Sequence, residues 1–125
     1  MMRAISKIRL GFGVAVLAAG MPVVLFAALQ SQLAAAETVT IHLTAANRYD
    51  PASQNIKAGD TVVWMNDAGT HTVTPNANQP DPFPGSQRLD PGQSYTVVIS
   101  GDPRTIKYHC QIHGLAMSGT IVVTP

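Results

Sequence analysis

"YHCQIHGLAMSGTIVV", residues 108–123, gathers the chain's only cysteine, two of its four histidines and one of its five methionines between positions 109 and 117. Just upstream, "RTIKYHC" alternates, with Ile106, Tyr108 and Cys110 on one face; just downstream, "GTIVVT" is rich in β-branched residues. A period of two and β-branched enrichment predict two strands joined by the loop that carries His113 and Met117. Cys110 then ends a core strand facing inward, and His109 points to the other side.

The same period runs through the chain on either side. "TVTIHLT" at 38–44 puts Val39, Ile41 and Leu43 on one face and Thr40 and His42 on the other, so His42 is expected to be solvated. "TVVWMN" at 61–66 pairs Val62 with Trp64 and turns Met65 away; "HTVT" at 71–74 is a short strand, and "SYTVVIS" at 94–100 aligns Tyr95, Val97 and Ile99. Turn residues separate these runs at "AGD", "DAG", "PGQ" and "GDP", and a loop rich in Pro, Asn and Asp fills 75–86. No window has a helical period or helix caps, and no segment repeats. About seven short strands predict an all-β Greek-key sandwich or barrel in a single domain.

The first 36 residues read differently. Arg3, Lys7 and Arg9 precede an uncharged apolar run from Leu10 to Leu29, and Ala34 and Ala36 give the small-x-small pattern of a signal-peptidase site. Residues 1–36 are expected to be a cleaved signal peptide and 37–125 the exported, periplasmic domain. The competing expectation is a retained membrane anchor, since the run is long enough to span a bilayer. Counted from Glu37, five basic residues stand against seven acidic ones, so the net charge is 5 − 7 = −2 and nucleic acid is not an expected partner. A single cysteine makes no internal disulfide, so Cys110 in an oxidising compartment needs another explanation.

Cys110, His113 and Met117 lie where one loop can bring them together, and His71, which follows the "DAGT" turn on another strand, supplies a fourth donor. One thiolate, two imidazoles and a thioether suit a mononuclear type 1 copper site, with His₂Cys in a plane and a long axial Met. Zinc rarely recruits a thioether, and its structural sites usually hold more cysteines. Here the chain resembles a cupredoxin, or blue copper protein, of the plastocyanin and amicyanin type. The likeness runs from "YDPASQNIKAGDTVVWMN" through "GTHTVT" to "YHCQIHGLAMSGTIVV". It implies a small electron carrier rather than an enzyme, holding one copper through His71, Cys110, His113 and Met117. It also implies a monomer whose redox protein partners dock near His113 and Leu115.

Two departures from that family are visible. "HGLAM" places three residues between the second His and the Met, where amicyanin-like loops have two and plastocyanin-like loops four, so neither subfamily is assigned. Thr72 stands where plastocyanins carry Asn; the resemblance implies that its backbone N–H still bonds the cysteine sulfur while its side-chain clasp across the loops weakens. Other functions fit less well. A multicopper oxidase needs His-x-His pairs and a binuclear centre needs two cysteines, and the chain has neither. A Cys-His hydrolase would leave Met117 without a role. A copper storage or delivery protein without a redox partner remains the alternative, because it would use the same ligands.

Overall fold

A computed structural model of the chain describes residues 35–125; residues 1–34, with most of the expected signal segment, lie outside the described residues. Eight strands follow in order: β1 (Thr38–Leu43), β2 (Tyr49–Asp50), β3 (Ser53–Lys57), β4 (Asp60–Asn66), β5 (Thr74–Pro75), β6 (Ser94–Ile99), β7 (Arg104–Cys110) and β8 (Gly114–Thr124). They form two four-stranded sheets, ordered β2-β1-β4-β6 and β3-β8-β7-β5. No helix occurs among the described residues, and the fold is the expected all-β sandwich.

The alternation read from the sequence is what builds the core. In β4 every second side chain from Asp60 to Asn66 is buried, and in β7 the buried set is Ile106, Tyr108 and Cys110. Ile41, Leu43, Val62 and Trp64 face in from one sheet; Ile106, Tyr108, Ile121 and Val123 face in from the other. The sheets meet at aromatic rings: Trp64 lies edge-on to Tyr108 at 5.5 Å, and Tyr108 edge-on to Tyr49 at 4.7 Å. Such pairs add about 0.5–1.5 kcal/mol each beyond the area they bury.

Three features differ from the sequence expectation. β2 and β3 were not anticipated, because "SQNIK" buries only Ile56 and shows no alternating run; β3 is an edge strand held by its parallel pairing with β8. The expected strand 71–74 is reduced to an isolated bridge between His71 and Leu89, followed by the two-residue β5. β8 begins at Gly114 rather than after Met117, since Cys110 pairs with Gly114 across a register shift that absorbs the intervening loop residues.

Asp60 fastens the start of this framework. Its carboxylate is almost fully buried and accepts the backbone N–H groups of Glu37 and Lys57, each at 2.8 Å. Those two donors hold its pKa below the ordinary value. A carboxyl whose folded pKa is depressed stabilises the fold above its unfolded pKa of about 3.9, and that contribution is lost as pH falls through the folded value. Asp60→Asn is therefore expected to unfold at lower urea than the parent at pH 7, with the gap narrowing toward pH 3. A gap of constant size across that range would show that the charge of Asp60 contributes nothing.

Candidate metal centre

Cys110 sits at the end of β7 with its side chain fully buried, because three alternate positions of that strand face the core. His71 is equally buried, although it lies in the connection between β4 and β5. His113 occupies the turn between β7 and β8 and is half-buried. The Cys110 Sγ lies 3.5 Å from His113 Nδ1 and 4.0 Å from His71 Nδ1, and the three donor atoms fall within 4.8 Å of one another. Bonds of about 2.0 Å to nitrogen and 2.3 Å to sulfur, opened to a tetrahedral or trigonal angle, separate N from S by about 3.5–3.7 Å. The His113 spacing falls in that range and the His71 spacing lies 0.3 Å beyond it, so a small inward shift of the His71 ring would let one ion sit between the three groups.

Met117 lies on β8 with 1% of its surface exposed. It shares the inward face with Gly119, Ile121 and Val123, the face toward which Cys110 also points. The structure thus brings together the donor atoms of His71, Cys110 and His113 and places the Met117 side chain in the same core. His109 is not part of this cluster: its Nδ1 bonds Asn76 Oδ1 at 2.6 Å on the opposite face of β7. His42 is exposed and pairs with Asp67 at 2.9 Å.

The surrounding hydrogen bonds orient the donors. The Ala68 carbonyl can only accept, so His71 Nε2 carries the proton in their 2.9 Å contact and Nδ1 is left free to bind a metal. Burial lowers the pKa of His71, which favours this neutral form. The turn that carries Ala68 is closed by a strap that the sequence did not reveal: the Asn66 amide donates to the carbonyls of Gly69 and Leu89, each at 2.9 Å. Gly69 has φ 75°, and a Cβ there would lie 3.2 Å from His71 Nε2, so glycine serves both the turn and the imidazole.

Thr72 joins the strap to the cysteine. Its backbone N–H donates to Cys110 Sγ at 3.4 Å, the bond that was expected. The side-chain clasp is present: Thr72 Oγ1 accepts the Gln111 N–H at 2.9 Å and contacts Thr74 Oγ1 at 3.0 Å. A threonine hydroxyl is enough to tie the two ligand-bearing loops. Around the half-buried His113 ring the loop is apolar and open, with Ile112 50% and Leu115 72% exposed. Leu115 therefore does not pack over the site.

These features agree with the comparisons. The sequence pattern of the cupredoxin-like domain matches residues 17–123. A plastocyanin of Scenedesmus fuscus is 34% identical over 84 residues, covering 60% of this chain and 85% of the plastocyanin. Among solved structures, a reduced amicyanin variant superposes with a TM-score of 0.60 at 26% identity, covering 70% of this chain and 82% of amicyanin. A copper-containing nitrite reductase of Thermus scotoductus gives a TM-score of 0.62 at 27% identity over 70% of this chain, but the chain spans only 22% of that enzyme. A soft donor set of one thiolate and two imidazoles, a buried thioether nearby and a rigid sandwich fit copper better than zinc. With sequence pattern, relatives and donor chemistry in agreement, the chain belongs to the cupredoxin-like domain family, and copper is its cofactor.

Proposed function

We propose that the chain is an exported single-electron carrier that holds one copper ion through His71, Cys110, His113 and Met117. The convergence of three donor atoms within 4.8 Å, two of them on fully buried side chains, is the observation that carries this reading. Bound copper supplies one-electron chemistry by alternating between its cupric and cuprous states. The protein's part is to keep the donors still. The Thr72 N–H and hydroxyl, the Ala68 carbonyl and the Asn66 strap fix them before any metal arrives, which supports fast exchange with little rearrangement. Burial of His71 and Cys110 also favours a carrier over a delivery protein, which must expose its ligands to hand the metal on.

Loading the domain 37–125 with cupric ion is expected to saturate at one equivalent and to produce an intense visible charge-transfer band. A colourless copper complex would reject the type 1 assignment. Met117→Leu is expected to retain copper and colour while raising the reduction potential, read by voltammetry, because the thioether that would help set it is lost. An unchanged potential would make Met117 a packing residue only.

Export is part of the same proposal. Cleavage after Ala36 would turn the Glu37 nitrogen into an α-ammonium, charged below about pH 7.7–8.0, at the position that now lies 2.8 Å from Asp60 Oδ1. A buried carboxylate aimed at that nitrogen supports a mature N-terminus at Glu37 in the periplasm. N-terminal sequencing of the exported protein tests it, and an intact Met1 in the membrane fraction would identify an anchor instead.

The carrier reading also needs a docking face. Ile112, Leu115 and Ala116 lie close to His113 in the chain and are exposed, small or apolar groups that a redox protein can approach closely. Leu115→Glu is expected to preserve the visible band yet slow exchange with the physiological partner and with a second copy of the chain by about tenfold or more, the loss typical of a central contact. Unchanged rates would move docking elsewhere.

A further inference from the structure

Met117 reaches the core from a stretch of β8 that has no partner on β7. In the ladder Cys110 pairs with Gly114 and its neighbour His109 pairs with Ser118, so Leu115, Ala116 and Met117 are extra residues on one side only. Such a bulge leaves its backbone outside the ladder and re-aims the side chains it carries. Its far end is firm, because His109 opposite Ser118 is itself tied to Asn76 Oδ1 through Nδ1 at 2.6 Å.

Packing does little to hold the bulge. Leu115 is 72% exposed and Ala116 is exposed, so neither side chain anchors it. Met117 is buried, yet a groove of about 210 Å³ that Tyr49 and Ala52 help to line runs beside it. A methionine side chain is unbranched and adapts to whatever space adjoins it, so burial alone would leave its sulfur several places to sit. A hydroxyl ties the stretch instead: Ser118 Oγ donates to the Leu115 carbonyl at 2.6 Å and closes a turn around Ala116 and Met117. A short hydroxyl side chain reaches a carbonyl three residues back, and alanine or valine has no donor with which to do so.

We propose that Ser118 is a positioning residue for Met117: its hydroxyl closes the three-residue bulge, fixes where the thioether is presented, and thereby tunes the reduction potential of the copper site. The inference rests on the proposed copper ligation. Ser118 is exposed and bonds the Leu115 carbonyl, not a metal-binding group, so its influence passes through Met117. The same bond gives the loop of three residues between His113 and Met117 a physical reading, since the hydroxyl holds in place a length that packing leaves loose.

The test compares Ser118→Ala and Ser118→Val, which lose the donor, with Ser118→Thr, which keeps it. In the metal-free protein the NMR order parameter of the Met117 ε-methyl group is expected to fall in the first two variants and to match the parent in Ser118→Thr. With copper bound, Ser118→Ala is expected to raise the reduction potential, the direction expected of Met117→Leu, and Ser118→Thr to keep the parent value. In the Met117→Leu background Ser118→Ala should move the potential no further, because the group it positions is gone. Urea unfolding of each metal-free variant is expected to stay close to the parent, as the side chain lies at the surface. An unchanged potential in Ser118→Ala, a shift of equal size with and without Met117, or Ser118→Val behaving as Ser118→Thr would each overturn the proposal. Failure of the copper reading is distinguishable: the parent would bind copper without colour, while the Met117 methyl of metal-free Ser118→Ala would still loosen.

Discussion

Gly119→Ala is expected to lower the melting temperature of the domain by more than about 10 °C. Gly119 stands directly across from Tyr108 in the β7–β8 ladder, and the Tyr108 ring lies over its Cα. A Cβ at this position would lie 2.7 Å from Tyr108 Cε2 and overlap Cζ and the hydroxyl. The ring has no free direction to move: it is fully buried, with Tyr49, Trp64 and Phe83 packed at centroid distances of 4.7, 5.5 and 5.9 Å. Overpacking a rigid core typically costs about 1–3 kcal/mol and occasionally more; an overlap this deep with a ring that cannot move belongs at the upper end, and each kcal/mol lowers the melting temperature of a domain this size by about 4–8 °C. Pairing Gly119→Ala with Tyr108→Leu should recover part of the loss, since the methyl then fills space the ring has left. A melting temperature within about 2 °C of the parent would show that the sheet gives way easily at this position.

That contact also marks where the sequence was readable and where it was not. β1, β4, β6 and β7 were legible because each places apolar residues on alternate positions over at least two repeats, and the sandwich follows from those four. β3 escaped notice because its single buried side chain, Ile56, carries no period; its place is fixed by pairing with β8, which is 60 or more residues away in sequence. Gly119 was read as the first residue of the strand "GTIVVT". It lies inside one, and glycine is there because the Tyr108 ring needs the space.

The site shows the same division. Cys110, His113 and Met117 are close in sequence, so their residue types and spacing could be read directly, and His71 stood out as a histidine just after a turn. The residues that hold them could not be found this way. Asn66, Tyr49 and Ala68 act through one or two hydrogen bonds each, whose partners are set by the fold. Thr72 was noticed only as a departure from the family, and its hydroxyl turned out to make the clasp. The loop of three residues before Met117, which fits neither subfamily length, is taken up by the register shift after His109, so Met117 still falls on the inward face.

Cys110→Ser is expected to remove the visible band completely while leaving the fold nearly as stable as before. The band would require a thiolate bound to copper beside the two imidazole donors, and a serine hydroxyl would stay protonated and bind copper far more weakly. Structurally the replacement is mild. The buried hydroxyl would inherit the Thr72 N–H that now points at Cys110 Sγ, and could donate to an imidazole Nδ1, since those atoms lie 3.5 and 4.0 Å from the sulfur. With both partners available, the change should cost about 1 kcal/mol rather than the 1–3 kcal/mol of an unsatisfied buried polar group. The measurement is a copper titration followed by absorbance, beside urea unfolding of the metal-free protein. If the serine variant kept its colour, the sulfur would not be a ligand, and the nearness of His71 and His113 to it would be a matter of packing. If the band vanished only because the metal-free variant had unfolded, Cys110 would be a core residue first, and the ligand assignment would then have to rest on the same titration applied to His71→Gln and His113→Gln.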